Sequence, residues 1–216
     1  MMKIICLLLL VSSPLFSQDK AIKKDSISFD SIYTLGMELM KTKKFKSASL
    51  YSDSLLSIPS YSALSNYKQH SKLLWIKVLS QSGQQAYTKS IAVNLDLIQL
   101  LRNQKDTLND FYEGVINEIA FCYFMNGDND ISESYYLLNL EINKLLSGEE
   151  NKKNCKTLNN LGIVNSRKLE YAKAENFFRK SSVMKKNIYG ENSLDFGLSL
   201  VRIAMLYDVT QRFSEA

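Results

Sequence analysis

The sequence is short of the residues that break or staple a chain. It holds 2 prolines and 8 glycines in 216 residues, too few breakers for a low-complexity chain. Three cysteines, Cys6, Cys122 and Cys155, and one histidine, His70, supply no Cys/His cluster of the kind zinc needs. A serine triad would depend on His70 as its base, and no G-x-S-x-G is present. There is no glycine-rich loop to cradle phosphate. Asp128-Asn129-Asp130 supplies half of a calcium loop without the terminal glutamate, which is the composition of a simple interhelical turn. No run of Lys and Arg is long enough for a nucleic-acid footprint; Lys41, Lys43, Lys44 and Lys46 cluster at an expected turn. These absences predict a protein that is not an enzyme, has no cofactor or metal and does not bind nucleic acid through these residues.

What remains is an ordinary globular balance: 45% hydrophobic, 23% charged, net charge +5. With so few breakers it reads as all-helical. The most informative stretch is Leu158–Phe178. Leu158, Leu161, Gly162 and Asn165 share one helical face, and Tyr171, Ala174, Phe177, Phe178 and Ser181 share the next. Arg167 to Glu170 form the connection. Small residues at Gly162 and Ala174 suit a close helix crossing, beside which Tyr171 and Phe178 fill space. The pattern recurs: Ala120 lies 42 residues before Gly162 and Ala204 lies 42 after, and Gly127, Leu169 and Gln211 align at the turns. Leu35-Gly36, Phe45 and Ala48 repeat the scheme upstream. The unit between is degenerate, with Trp75-Ile76 at the crossing, Gly83 at the turn and Thr88 where alanine is expected.

The L-G…A-x3-F skeleton resembles a tetratricopeptide repeat (TPR), and Leu158-Asn159-Asn160-Leu161-Gly162 resembles the longer units of kinesin light chains. The resemblance implies an all-α fold: a right-handed α-solenoid of stacked antiparallel helix hairpins, each burying its apolar face against its neighbours. The hairpins are expected at about 30–58, 60–102, 106–146, 151–189 and, incomplete, 191–216. The second should open with one long helix from Ser60 to about Gln81.

Residues 1–17 read as a signal peptide: Met1-Met2-Lys3, an apolar run from Ile4 to Val11, and a cleavage region ending at Ser17. The run is short of the ~20 residues of a membrane span, and Cys6 lies too early for a lipid anchor. Cleavage would remove Lys3 and leave Cys122 and Cys155, expected as buried free thiols. Residues 18–29 form a polar leader. The chain is thus expected to be exported to the periplasm or cell envelope.

The resemblance also implies a concave face built by the first helix of each hairpin. By position it selects Tyr33, Met37, Leu73, Lys77, Asn117, Phe121, Asn159, Ile163, Val201 and Met205, with Phe124, Arg167 and Asp208 further along the same helices and Arg202 beside Val201. Asn117 and Asn159 occupy the slot whose amide bonds the backbone of an extended peptide. Lys77, Arg167 and Arg202 are placed to hold acidic groups. The expected function is a non-catalytic scaffold for a protein or extended peptide. The alternative is the extracytoplasmic sensory region of a signalling protein, such as a TPR-containing sensor histidine kinase or helix–turn–helix regulator. Its output domain, and any membrane span, would lie beyond residue 216. A glycan-binding lipoprotein is a weaker third reading, because the lipobox is missing.

Overall fold

The computed structural model describes residues 28–211. The expected signal peptide, nearly all of the polar leader and residues 212–216 lie outside the described residues. Among those described, every regular element is helical. They are α1 (Phe29–Lys41), α2 (Phe45–Leu56), a 3-10 turn (Pro59–Tyr61), α3 (Tyr67–Gly83), α4 (Tyr87–Asn103), α5 (Asp110–Asn126), α6 (Asn129–Ser147), α7 (Lys152–Arg167), α8 (Tyr171–Tyr189) and α9 (Leu194–Val209).

Side-chain caps start the odd-numbered helices. Ser28, Asn66, Asn109, Asn151 and Ser193 each accept from the backbone N–H three residues on, satisfying a donor the helix leaves open. Left-handed residues end them. Lys43, Gln85, Gly127, Leu169 and Gln211, 42 residues apart, have φ between 55° and 95°. The same closing bond follows at four of these turns: Lys44 N–H to Leu39 O, Ala86 to Gln81, Asp128 to Tyr123 and Glu170 to Asn165, at 2.9–3.0 Å. This is the Schellman pattern that caps orphan carbonyls. The 42-residue period is therefore a property of the backbone as well as of the apolar pattern.

The chain forms two compact units, residues 1–100 and 101–216. In the first, Ile32, Leu39, Ala48, Tyr51, Leu55, Leu73 and Ile76 make one core. Gly36 lets α1 approach closely: a Cβ there would collide with the Ile76 side chain. The Tyr51 hydroxyl donates to Ile32 O at 3.0 Å, and Ser90 Oγ donates to Val78 O at 3.0 Å, tying α4 to α3.

Four expectations for the elements of this unit need correction. No helix starts at Ser60. Serine hydroxyls there bond locally, Ser65 Oγ to Pro59 O at 3.1 Å and to Ser62 Oγ at 3.0 Å, in competition with helix formation. The helix begins only after Asn66. The crossing residue of the degenerate unit is Val78, not Ile76, and the alanine slot is held by Ser90, not Thr88; both are fully buried. Val78 stands 42 residues after Gly36 and 42 before Ala120. Gly83 is the last residue of α3 and abuts the Phe45 ring, while Gln85 makes the left-handed turn.

In the second unit, Ala120, Tyr136, Leu161 and Val164 form one core cluster and Ala174, Phe178 and Leu206 another. Gly162 lies against the Phe178 ring, where a Cβ would come within 2.9 Å of Cγ. Ser132 Oγ donates to Ala120 O at 2.8 Å, matching the Ser90–Val78 bond. A buried polar network links α5, α6 and α7. Asn139 Nδ2 donates to Glu113 Oε1 (2.9 Å), Thr157 Oγ1 donates to Asn139 Oδ1 (2.8 Å), and Lys153 Nζ donates to Glu113 Oε2 (2.9 Å) and Asp110 (2.6 Å). Burial pulls the Lys153 pKa down, but the two carboxylates outweigh it and hold the ammonium above its ordinary value. A second cation, Lys168, sits among Asp130, Glu133 and Glu170, and its hydrogen bonds to them hold its pKa well up.

Candidate functional site

The residues selected by position fall on the odd-numbered helices, and the two units treat them differently. In the first unit Tyr33 and Met37 are half-buried and pack against the core. Lys72 Nζ lies over the Tyr33 ring at 5.1 Å and the Phe29 ring at 5.9 Å, so this aromatic face already carries a cation. Leu73 is fully buried and is core, not groove. Lys77 reaches Asp53 on α2 at 2.8 Å and is not available to hold an acidic ligand. Both corrections have one cause: with Val78 at the crossing, the equivalent positions are Trp75 and Leu79, both half-buried.

In the second unit the selected residues gather on two half-open clefts. The first, about 410 Å³ between α5 and α7, is lined by Asn117, Phe121, Phe124 and Ile163, joined by Glu118, Tyr136, Lys156 and Asn160. Phe121 is 36% exposed and Met125 beside it 40%, a small apolar patch. Its charges, Glu118 and Lys156, balance. Arg167 closes one end: Nη1 donates to Phe124 O at 2.9 Å, and the guanidinium lies 3.8 Å from the centre of the Phe124 ring. Arg167 thus braces α7 against the C-terminus of α5, where cations meet open carbonyls.

The second cleft, about 610 Å³, lies between α7 and α9 with part of α8. Asn159, Val201, Arg202 and Met205 line it, together with Lys152, Lys156, Lys185, Tyr189, Asp195, Leu198 and Cys155. Lys156 borders both clefts. Asn117 and Asn159, on successive odd-numbered helices, face one cleft each. Cys155 is buried, and burial pushes its thiol pKa up, which disfavours the reactive thiolate. Cys122 is also a buried thiol. Positional reasoning missed Lys152, Lys156 and Lys185; the four-residue spacing of the first two was the one signal available.

Among the described residues no three His, Cys, Asp or Glu side chains group as a metal site, and no helix is long and apolar enough to cross a membrane. His70 Nδ1 lies 2.8 Å from Tyr61 O, a local structural bond. The clefts therefore offer amides, aromatic and aliphatic walls and fixed charges, which is equipment for binding.

A family model described as tetratricopeptide repeat matches residues 112–187. That span covers α6 and α7 and most of α5 and α8. No curated protein matches the sequence. Among solved structures, the chain is similar to a substituted form of a putative kinesin light chain with nearly identical TPR-like repeats from Podosopora anserina. The TM-score is 0.75 at 10% identity, over 87% of this chain and 88% of that one. A second structure described as the same putative kinesin light chain gives 0.72 at 9%, over 87% and 89%. BtubC (BKLC) from P. vanneervenii gives 0.73 at 14%, over 87% and 74%. At such identities the likeness is one of fold. Residues 112–187 thus match the tetratricopeptide repeat model, and the described residues share the fold of TPR-type helical arrays.

Proposed function

We propose that the second unit binds an extended segment of a partner protein along the shared face of α5, α7 and α9, without chemistry. One observation carries this reading: Asn117 and Asn159 stand on successive odd-numbered helices beside half-open clefts whose walls expose Phe121, Val201 and Met205 and include the half-buried Ile163. An amide offers both a donor and an acceptor to a peptide backbone, and exposed apolar walls mark contact surfaces. Residues 1–17 support export to the cell envelope as the setting, by their basic start, apolar run and cleavage region.

The test is a peptide array probed with the full chain and with an Asn117→Ala/Asn159→Ala variant. The expected result is at least about tenfold weaker binding of the selected peptides, two lost backbone hydrogen bonds at about 1 kcal/mol each, with helicity unchanged. Equal binding by the variant would remove the groove reading. Export is tested separately: the mass of the native protein in an envelope fraction should lack residues 1–17, and an intact N-terminus in the cytosol would refute it.

A further inference from the structure

The cations of the second unit divide into two groups. Lys144, Lys153, Lys168, Lys173, Arg179 and Lys186 each hold a carboxylate within 3.3 Å. Among the described residues Lys152, Lys156, Lys185 and Arg202 hold none; Arg102, Lys105, Arg167 and Lys180 are without one too, but only the first four converge, from three helices, on one cleft, that between α7 and α9. Asp195 is the single acid lining it. Lys152 is instead over the Tyr189 ring at 5.4 Å. Four cations gathered around one acid repel one another and raise the affinity of that spot for an anion. The first turns of α7, which carry Lys152 and Lys156 just after the Asn151 cap, add the positive end of the helix dipole.

The distribution also speaks to the kind of anion. The neighbouring cleft between α5 and α7 has no cation beyond the shared Lys156 and adds Glu118, and Arg167 is engaged with Phe124. The charge is therefore concentrated at one place instead of being strung along the face. A peptide with spaced carboxylates needs a line of cations; a compact, doubly charged group needs a cluster. Leu198, Val201 and Met205, 53%, 52% and 56% exposed, make an apolar wall beside the cluster.

We propose that this cleft is a phosphomonoester site, taking a phosphoryl group with an apolar flank. Lys156, Lys185 and Arg202 serve as its cationic ligands, and the flank lies on the Leu198–Met205 wall. This deepens the peptide-binding reading by naming the group that the α7–α9 end of the face selects. Its bearer is either a phosphorylated side chain of the bound segment or a small phosphate ester.

The experiment is an NMR titration of the full chain with three probes at low salt. These are phenyl phosphate, inorganic phosphate, and benzylsuccinate as a dicarboxylate with the same ring. The expected result is saturable shifts confined to α7, the end of α8 and α9. Phenyl phosphate should bind at least about tenfold tighter than benzylsuccinate, and several-fold tighter than inorganic phosphate. Raising salt toward about 0.3 M should weaken it, since exposed charges are screened beyond a few ångströms. A K156Q/R202Q variant should lose about tenfold or more, while K180Q, in the separate pocket that α8 shares with α6 and α7, should bind as the parent does. Circular dichroism of each variant reports folding, and a misfolded double variant is replaced by R202Q alone. Absence of saturable phenyl phosphate binding, equal or tighter benzylsuccinate binding, equal inorganic phosphate binding, or full binding by K156Q/R202Q each overturns the proposal. A phosphoserine-containing peptide, titrated in a separate run, that binds no tighter than phenyl phosphate assigns the site to small esters. The Asn117→Ala variant, altered only in the neighbouring cleft, should still bind phenyl phosphate while losing peptide affinity, so the peptide reading and this one fail separately.

Discussion

At the scale of single residues, the structure holds two local debts that substitution should relieve. Asn94 on α4 is fully buried, and neither its Oδ1 nor its Nδ2 finds a partner. The equivalent positions in the later repeats hold Tyr136 and Phe178, both buried in apolar clusters. An unsatisfied buried amide costs about 1–3 kcal/mol, and leucine is close in volume. Asn94→Leu should therefore raise the urea midpoint by a stabilisation of that order; a lower midpoint would mean that the amide has a role in the fold. Leu169 holds a left-handed turn at φ 62° while 69% exposed, so it gains nothing from packing. Left-handed backbone costs an L-residue roughly 1–2 kcal/mol, and glycine gives back part of that gain as unfolded-state entropy, about 0.5–1 kcal/mol. Leu169→Gly, which reproduces the Gly127 turn one repeat earlier, should stabilise by up to about 1 kcal/mol in thermal unfolding. A loss of stability would show that the Leu169 side chain is needed.

At the scale of elements, the first hairpin carries a pH signature. Tyr51 on α2 bonds Ile32 O on α1, and burial, with a smaller contribution from Tyr61, pushes its phenol up to about 12 from 10.0. The folded state thus binds the proton more tightly than the unfolded chain. Its stabilising contribution is whole below pH 10 and is lost as pH rises through about 12. Tyr51→Phe should lower stability at neutral pH by about 1 kcal/mol for the lost hydrogen bond, yet flatten the decline between pH 10 and about 12. Tyr33, Tyr123 and Tyr135 are shifted the same way by burial, so the slope should shrink without vanishing. An unchanged slope would remove Tyr51 from the account.

The elements also show why some of the molecule was legible in its sequence. Gly162 and Ala120 announced their crossings because small residues there have a steric cause, and Gly127 marked its turn by the conformation it permits. Val78 and Ser90 fill the same slots with residues that carry no such mark, so the second hairpin was read out of register and Leu73 and Lys77 were placed on the wrong face. The network of Glu113, Asn139, Thr157 and Lys153 was invisible because polar side chains read as surface until a partner is known. On the candidate face, Asn117, Phe121, Asn159 and Ile163, which line the two clefts, were picked by position. Its unpaired lysines were not, since pairing is decided by side chains distant in the chain.

At the scale of the whole molecule, stability in stacked hairpins is a sum of local and nearest-neighbour terms. Damage to one repeat should therefore be felt most by its neighbours. The sequence supplies a reporter for this. Trp75, the only tryptophan, lies on α3 in the first unit, whereas helicity is summed over both units. Leu161 is fully buried at the centre of the second, and Leu161→Ala should cost about 2–5 kcal/mol there. Urea unfolding of that variant should separate the two signals: the helicity transition moves to lower urea and broadens, while the Trp75 fluorescence midpoint moves by much less. In the parent the two midpoints should lie closer together. If fluorescence and helicity fall in step in the variant, with equal displacement, the array unfolds as one cooperative body and the nearest-neighbour account fails. Separation would place the two candidate clefts on a unit whose stability can be tuned without loosening the first hairpins. Variants of Asn117, Asn159 and Arg202 could then be compared at matched fold stability.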